Sequence, residues 1–468
     1  MSTDLCFTPA RELARMIRAR EVSAREVMQA FLARIAIHNP TLNAIVAKLP
    51  DDACLALADA ADRAPARQKA RPLHGLPIAI KDHEPAAGLP WTNGSRIFAG
   101  RVAQDDSVFV ERLRRDGVIP IGKTNISEFT MGSQSYNDVY GTTLNPWDPT
   151  KTAGGSSGGA AAAVAARLLP FADGSDLGGS LRNPASFNSL VALRPTVGLV
   201  PNAPVAFPLI EFLAKGVIAR TVDDVAFALS CVMGPDDRDP RTWPSDPGAF
   251  RRFEPRSVMG LRIAWCPDLG GLPLDPRVRS VIERHRHTFE ALHCSVHDAA
   301  PDLRDADDIF LTLRTWMSAQ TLGPLLDAHR DLLKPEAIWQ IEQGRRVTAD
   351  DLARAMAAHG RLLERMRVFL DRYEFLVCAT VQVPPFDASV TWPREIDGTP
   401  MEHYIAWMRS AYWISTTLGP AVSVPAGFTD DGLPVGLQIV GGPRKDLAVL
   451  QLARAFEEAS GVGQPRPV

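Results

Sequence analysis

Residues 152–159 read Thr-Ala-Gly-Gly-Ser-Ser-Gly-Gly, and residues 171–185 read Phe-Ala-Asp-Gly-Ser-Asp-Leu-Gly-Gly-Ser-Leu-Arg-Asn-Pro-Ala. Between them lies an alanine-rich run, ending at Leu168, that is apolar enough to form a buried helix. Glycine pairs let the backbone approach another group closely. Consecutive N–H groups in such loops can bind an anion or a developing oxyanion, and each loop adds a serine hydroxyl. The matched pair of loops therefore indicates acyl transfer.

Other kinds of site share parts of this pattern. A phosphate-binding loop needs a lysine after its second glycine, and residues 152–185 contain none. Gly155 to Gly159 does match the Gly-x-Ser-x-Gly nucleophile elbow with Ser157 as nucleophile, but that hydrolase also needs a downstream acid and histidine. Of the histidines downstream of this loop, only His297 and His359 are directly followed by Asp or Gly, and nothing else around them suggests a triad loop. Glycine turns with incidental serines would explain one loop but not the pair.

The two segments resemble the signature of the amidase signature family of serine hydrolases. The family spaces its two serines much as Ser156 and Ser180 are spaced here, 24 positions apart. It also ends an apolar strand with a lysine after Gly-Leu-Pro, and residues 75–82 read Gly-Leu-Pro-Ile-Ala-Ile-Lys-Asp, so Lys81 takes that position. The resemblance covers residues 71–235 and 400–460, and the chain departs from it with Ser189 and Ala192 where glycine is usual.

The resemblance implies a catalytic triad. Ser180 would attack the amide carbonyl, and Ser156, joined to Gly155 by a cis peptide bond, would relay the proton. A neutral, buried Lys81 would accept that proton and later deliver it to the leaving nitrogen. Such a base is required because a serine hydroxyl is a poor nucleophile until its proton is taken.

Supporting residues are implied by the same resemblance. The oxyanion hole would be formed by the backbone N–H groups of Leu177, Gly178, Gly179 and Ser180. The substrate-binding residues would be Met131, Gly132 and Ser133. We expect Asp176 and Arg182 to brace the loops, Ser157 to hydrogen-bond its loop from behind, and Lys123 to be structural.

The expected substrate is an uncharged amide with an aryl or apolar acyl group. Aromatic and apolar side chains dominate pockets for uncharged ligands, and the segments predicted to form the pocket mouth carry Phe207, Ile210, Phe212, Trp316, Trp392, Tyr404 and Trp407. Three alternatives stay open. They are a carbamate hydrolase with the same triad, a glutamine-hydrolysing subunit of a tRNA-dependent amidotransferase, and a non-catalytic binding protein on the same scaffold.

The expected fold is one α/β domain over 1–468, because no break in composition divides the chain. The resemblance implies a mixed, mostly parallel central sheet covered by helices on both faces. A strand ending at Lys81, a helix capped by Ser107 and a second strand at 118–121 indicate a parallel pair. Residues 1–70 are predicted to form a helical arm, available for dimer contacts, and 300–375 a variable helical segment over the active site.

Composition narrows the function further. The net charge is −3 with no basic block, which argues against a nucleic-acid partner, and no apolar run approaches the roughly 20 residues of a membrane span. The N-terminus lacks the features of a signal peptide, so we expect a soluble cytoplasmic protein. The six cysteines are scattered and are expected to be free thiols. No cofactor is expected, nor a metal at the histidines of 285–297, which lack the glutamate of the zinc motif.

Overall fold

A computed structural model describes residues 2–210, 212–463 and 467 of the chain. The N-terminal helices and the first strands are α1 Ser2–Phe7, α2 Ala10–Ala19, α3 Ala24–Leu42, α4 Asp51–Arg63, α5 Ala66–Lys69, β1 Pro77–Lys81, α6 Val108–Arg115, β2 Ile119–Thr124, β3 Tyr136–Asn137 and β4 Gly141–Thr142. The signature region and the residues after it contain α7 Gly158–Ala165, β5 Ala172–Asp176, α8 Arg182–Phe187, β6 Val191–Arg194, β7 Ala214–Ala219, α9 Val222–Val232 and α10 Pro247–Arg252.

The second half of the chain continues the alternation of strands and helices. Its elements are β8 Arg262–Trp265, α11 Pro276–Glu283, α12 Arg286–Ala291, β9 Ser295–Asp298, α13 Ala306–His329, α14 Pro335–Arg345, α15 Ala349–Arg372, β10 Phe375–Ala379, β11 Glu395–Ile396, β12 Thr399–Pro400, α16 Arg409–Ser415, β13 Ala421–Phe428, β14 Pro434–Gly441 and α17 Asp446–Ala459.

The central sheet has eight strands in the order β5-β7-β6-β13-β14-β10-β8-β9. The predicted α/β domain with a mixed sheet is confirmed, but the expectation that the sheet is mostly parallel is wrong. Only the pairings of β8 with β9 and with β10 are parallel, whereas the other five are antiparallel. Short connections such as the turn at 429–432 between β13 and β14 allow only antiparallel pairing.

Parallel pairing occurs where a helix crosses over between strands. The helices α11 and α12 connect β8 to β9, and α6 connects β1 to β2. The predicted parallel pair of β1 and β2 is confirmed, although these strands form a separate two-stranded sheet. This pair carries Lys81 at its end, opposite Thr124.

Strand β14 shows how helices come to cover both faces of the sheet. Val435, Leu437 and Ile439 belong to a core cluster that also contains the apolar faces of α9, α11 and α17. Val440 belongs instead to a cluster with α13 and α15. Since successive side chains of a strand point to opposite faces, both faces of this strand are buried. The predicted helical cover on both faces is confirmed.

The N-terminal helices pack on the fold through α3. Ser23 begins α3 with a capping box, in which its hydroxyl accepts from the Glu26 N–H at 3.1 Å and its own N–H donates to the Glu26 carboxylate at 2.8 Å. Met28 and Leu32 then join the apolar cluster that surrounds α7. The predicted arm therefore has its inner face buried against the signature helix.

Gly159 on α7 lets the signature helix lie against backbone on two sides. A Cβ added there would lie 2.3 Å from the Asn125 nitrogen and 2.7 Å from the Ala44 oxygen. Backbone on both sides leaves no flexible group to move, so we expect Gly159→Ala to lower the free energy of unfolding by about 3 kcal/mol. Thermal and denaturant unfolding would measure it.

Gly360 on α15 provides the matched control, because an added Cβ there meets nothing within 4 Å. Gly360→Ala should stabilise the protein by about 0.5–1 kcal/mol through helix propensity. A wild-type melting temperature for Gly159→Ala would contradict the proposed close packing of α7.

The cysteines and one of the histidines considered above as metal ligands have buried side chains. All six cysteines are buried thiols. His285 is buried, with its ring nitrogen 2.6 Å from the Ala426 carbonyl oxygen. Within the described residues, no three His, Cys, Asp or Glu side chains are grouped as a metal site would require, and no helix is long and apolar enough to cross a bilayer.

Candidate active site

Lys81 ends β1 with a completely buried side chain, and three serine hydroxyls surround its amine. Its Nζ atom lies 2.9 Å from Ser156 Oγ, 2.8 Å from Ser157 Oγ and 2.9 Å from Ser175 Oγ. Burial penalises the ammonium form and lowers the pKa of Lys81 to about 8, against the attraction of nearby carboxylates. A substantial fraction of the amine is therefore neutral just above neutral pH.

The first glycine–serine loop is tied to its surroundings through hydrogen bonds of its backbone. The peptide bond between Gly155 and Ser156 is cis, as the resemblance implies. Ser135 Oγ donates to the Ser156 carbonyl at 3.2 Å and accepts from the Gly158 N–H at 2.9 Å. The prediction that Ser157 supports the loop from behind is wrong, because its hydroxyl accepts directly from Lys81.

The second loop meets the first through Ser180. The Ser157 N–H donates to the Ser180 carbonyl at 3.3 Å, so the backbones of the two loops are in contact. Ser180 follows the strand β5, and its side chain opens into a cavity of about 680 Å³ that Ser156 and Ser175 also line. The two signature serines, Ser156 and Ser180, thus line one cavity together with Ser175.

The predicted oxyanion donors fall into two groups. The Gly179 N–H donates to the Asp176 carboxylate at 2.8 Å and is therefore engaged within the loop. Among the described residues, no protein acceptor takes the N–H groups of Leu177, Gly178 or Ser180. Leu177, Gly178 and Ser180 also line the cavity, whereas Gly179 is not among its lining residues.

Only two of the three residues predicted to bind substrate line the cavity. Met131 and Gly132 line the cavity. Ser133 does not, because its hydroxyl donates to the Gly155 carbonyl and accepts from Asn183 Nδ2 at 3.0 Å. Ser133 therefore connects the two loops from outside the cavity.

Most of the aromatic residues predicted at the pocket mouth lie elsewhere. Of the seven predicted residues, six of them aromatic, Phe207 alone lines the cavity, and its ring centroid lies 4.8 Å from that of Trp316. Ile210 and Phe212 line a separate cavity against α15, and Trp407 is wholly buried. The cavity instead takes its other aromatic side chains from Trp91, Phe98, Phe129 and Phe310.

The helical segment predicted over the site contributes through α13. Phe310, Arg314 and Met317 of this helix line the cavity. Lys123, by contrast, donates from Nζ to the Glu84 carbonyl and lies outside the cavity lining. The expectation that Lys123 is structural agrees with this contact.

Asp176 and Arg182 form a fully buried ion pair under the second loop. Arg182 Nη2 donates to Asp176 at 2.9 Å and Nε at 3.0 Å, while other donors of Arg182 reach Gln438 and Ser415. Burial alone would raise the pKa of Asp176, but the Arg182 charge outweighs it and holds that pKa at about 2. Both residues brace the loop, as predicted.

Breaking this pair should be costly. Arg182→Met leaves the Asp176 carboxylate buried with Arg194 only at 4.0 Å, and we expect the free energy of unfolding to fall by about 3–5 kcal/mol. Denaturant unfolding would measure this loss. Arg367→Met, at an exposed ion pair on α15, is the control and should leave stability unchanged. Equal stability of the two variants would contradict the bracing role.

The sequence interpretation missed Asp173 and Ser175. Asp173 Oδ1 accepts from the main-chain N–H of Lys81 at 2.9 Å, and burial raises the pKa of Asp173 to about 6. The alternation of β5 offers a signal, because residues two apart on a strand share a face. A polar residue at both 173 and 175, before the loop at 177–180, indicates that this face meets another polar group.

Known proteins resemble this chain over nearly its whole length. The Amidase family model matches residues 26–450. An acylamidase of Rhodococcus erythropolis is 34% identical over 99% of this chain and 98% of its own length. One subunit of the glutamyl-tRNA(Gln) amidotransferase of Symbiobacterium thermophilum is 32% identical, with 98% of each chain covered.

Solved structures share the whole fold. The crystal structure of a bacterial aryl acylamidase of the amidase signature family superposes with a TM-score of 0.89, at 26% identity, over 98% of this chain and 99% of that one. The resemblance first found in two glycine–serine segments thus extends over the full length of the fold. The chain belongs to the amidase signature family of amide-hydrolysing enzymes.

Proposed function

We propose that this enzyme cleaves the C–N bond of an uncharged amide with an aryl or apolar acyl group, through an acyl-enzyme on Ser180. The observation that carries the proposal is the buried Lys81 amine, held by the hydroxyls of Ser156, Ser157 and Ser175 and opening through Ser156 toward the cavity. A buried lysine with a lowered pKa and hydroxyl partners is suited to act as a base.

In the proposed reaction, Ser180 Oγ attacks the carbonyl carbon while its proton passes through the Ser156 hydroxyl to Lys81. The tetrahedral intermediate collapses when the C–N bond breaks, and the proton returns from Lys81 through Ser156 to the leaving nitrogen. The amine departs and the acyl group stays as an ester on Ser180. Water then repeats the sequence, releasing the acid and restoring the serine.

The developing oxyanion would be stabilised by backbone donors of the second loop. We assign this role to the N–H groups of Leu177, Gly178 and Ser180, which line the cavity. The Gly179 N–H instead holds the Asp176 carboxylate, and this bond fixes the loop conformation that presents its neighbours. Preorganised donors of this kind stabilise the transition state because they need no reorientation during the reaction.

The substrate preference is inferred from the cavity wall. Its aromatic side chains, among them Trp91, Phe129 and Phe310, favour an apolar or aryl group. Of the cationic side chains in the described lining, Lys215 forms an ion pair with Glu84 at 2.9 Å, and Arg314 donates to the hydroxyl of Tyr404 at 2.9 Å and to Gln340. The acylamidase and aryl acylamidase relatives agree with the same preference.

A substrate panel assayed on the purified chain tests this proposal. We expect kcat/KM for aryl and medium-chain acyl amides to exceed that for charged amides by about tenfold or more, because each apolar group in a matching pocket contributes about that much. Better turnover of glutamine or of a malonamate-like amide would overturn the substrate assignment.

The same panel separates two other activities. A carbamate hydrolase would use the same residues, and faster turnover of aryl carbamates than of aryl amides would favour it. The amidotransferase relative supports a second candidate, a glutamine-hydrolysing subunit. Glutamine hydrolysis that needs partner subunits and tRNA, with no activity of the free chain on aryl amides, would favour that function.

A further inference from the structure

Glu84 and Lys215 form an ion pair in the cavity wall, beside the amine of Lys81. Lys215 Nζ lies 2.9 Å from Glu84 Oε2, and their side chains are only 6% and 4% exposed. Lys215 on β7 is directly opposite Ser175 on β5, whose hydroxyl contacts Lys81. Since opposite residues of antiparallel strands point to the same face, the pair lies next to the hydroxyl groups that hold Lys81.

Three carboxylates act on Lys81, and each would favour its protonated form. They are Asp173, Glu84 and Asp176. Asp176 is paired with Arg182, with Arg194 close by. Asp173 is also ionised at neutral pH, although burial raises its pKa to about 6, and its Oδ1 accepts from the main-chain N–H of Lys81. Glu84 is ionised, with its pKa held at about 2 against the effect of burial by the charge of Lys215.

None of the other titratable groups described near Glu84 is a counter-ion for its carboxylate. Lys123 donates to the Glu84 carbonyl and not to its carboxylate. Asp82 turns away from Lys81 and accepts from Thr92 and Gly94. His83 is neutral above acid pH, because burial lowers its pKa to about 4. Lys215 is therefore the counter-ion on which Glu84 depends.

An unpaired carboxylate next to a buried lysine would take that lysine as its own partner. Opposite charges within a few ångströms favour the charged forms of both groups, and burial strengthens the attraction. The lysine would then need a higher pH to lose its proton, so a smaller fraction of it could accept a proton from a serine over the neutral range. The state of Glu84 thus bears on the reaction although its carboxylate does not contact Lys81.

We propose that Lys215 is a positioning residue, which engages the Glu84 carboxylate and so leaves Lys81 free to act as the neutral base. This inference rests on the proposed role of Lys81 in the reaction. Neither Glu84 nor Lys215 is required to touch the reacting atoms. The pair acts through the charge that Lys81 experiences.

The pH dependence of kcat/KM for an aryl amide tests the proposal in Lys215→Met, Glu84→Gln and the double variant. In Lys215→Met the rising limb should move about one pH unit to the alkaline side, so that activity at pH 7 falls about tenfold and recovers at high pH. Glu84→Gln should move it to the acid side. The double variant should return it close to the wild-type position, because both charges are removed.

If Lys215→Met lowered kcat/KM by the same factor at every pH and did not move the rising limb of the pH profile, the proposal would be overturned. The ion pair would then have only a structural role. If Lys215→Met folds poorly, the double variant, which contains no unpaired charge, is compared with Glu84→Gln instead. An unmoved limb in Glu84→Gln, with the double variant equal to it, would likewise contradict the coupling.

A direct titration separates this inference from the proposed function. NMR of ¹³Cε-labelled lysine, with the Lys81 signal assigned by its loss in Lys81→Met, gives the pKa of Lys81 without any substrate. A higher pKa in Lys215→Met supports the positioning role even if the enzyme hydrolyses none of the tested amides. An unchanged pKa overturns that role even if the enzyme is an active amidase.

Discussion

Ser180→Ala should lower kcat for amide hydrolysis by about 10⁴-fold or more and abolish the acyl-enzyme, because the variant has no hydroxyl at the position that attacks the carbonyl. The Ser180 side chain opens into the cavity, so we expect no loss of fold and little change in substrate binding. Rapid-quench kinetics would measure the missing acylation step. Circular dichroism would establish that the variant is folded.

Labelling with a fluorophosphonate identifies the nucleophile independently of turnover. Peptide mass spectrometry should find the label on Ser180 in the wild type and no label in Ser180→Ala. Ser156→Ala is the comparison, since it should slow acylation without preventing binding. A label on Ser157 would reject the assignment and favour the Gly-x-Ser-x-Gly elbow at 155–159, although the Ser157 hydroxyl is turned toward Lys81.

Lys81→Met should remove most of kcat, by about 10²–10⁴-fold, and flatten its dependence on pH. In the wild type the base must be neutral, and burial lowers the pKa of Lys81 to about 8. The neutral fraction therefore reaches about one half near pH 8 and levels off about one unit higher, so kcat/KM should rise through pH 7 and pH 8 and hold above pH 9. Methionine has a similar volume but cannot accept a proton.

The control for Lys81→Met is Lys123→Met, because Lys123 is also buried at the end of a neighbouring strand but lies outside the cavity lining. That variant should retain the rise of kcat/KM with pH, whatever it costs in stability. A Lys81→Met enzyme that kept the wild-type rise would show that another group is the base.

The sequence by itself identified three residues of the candidate site, through its resemblance to a known family. Ser156, Ser180 and Lys81 could be named because the segments that contain them resemble the family signature, and that resemblance is local in the sequence and needs no tertiary information. Even a departure from the family was informative, since Ser189, where glycine is usual, has a left-handed φ of 54°.

The direction of the sheet and the lining of the cavity depended on the tertiary structure. Local patterns locate strands but do not tell which strands become neighbours, and the sheet proved mainly antiparallel. Aromatic residues were assigned to the pocket by segment, whereas burial depends on the face that each side chain presents, so Trp407 lies in the core and Trp91 lines the cavity.

Charge compensation around Lys81 was decided in the same way. Glu84 and Lys215 are 131 positions apart, and Asp173 follows Lys81 by 92. No periodicity within one segment can indicate such pairs, because they form only when separate strands are brought together. The sequence therefore identifies Lys81 as the candidate base. The protonation of Lys81 depends on neighbouring charges that only the tertiary structure brings close to it.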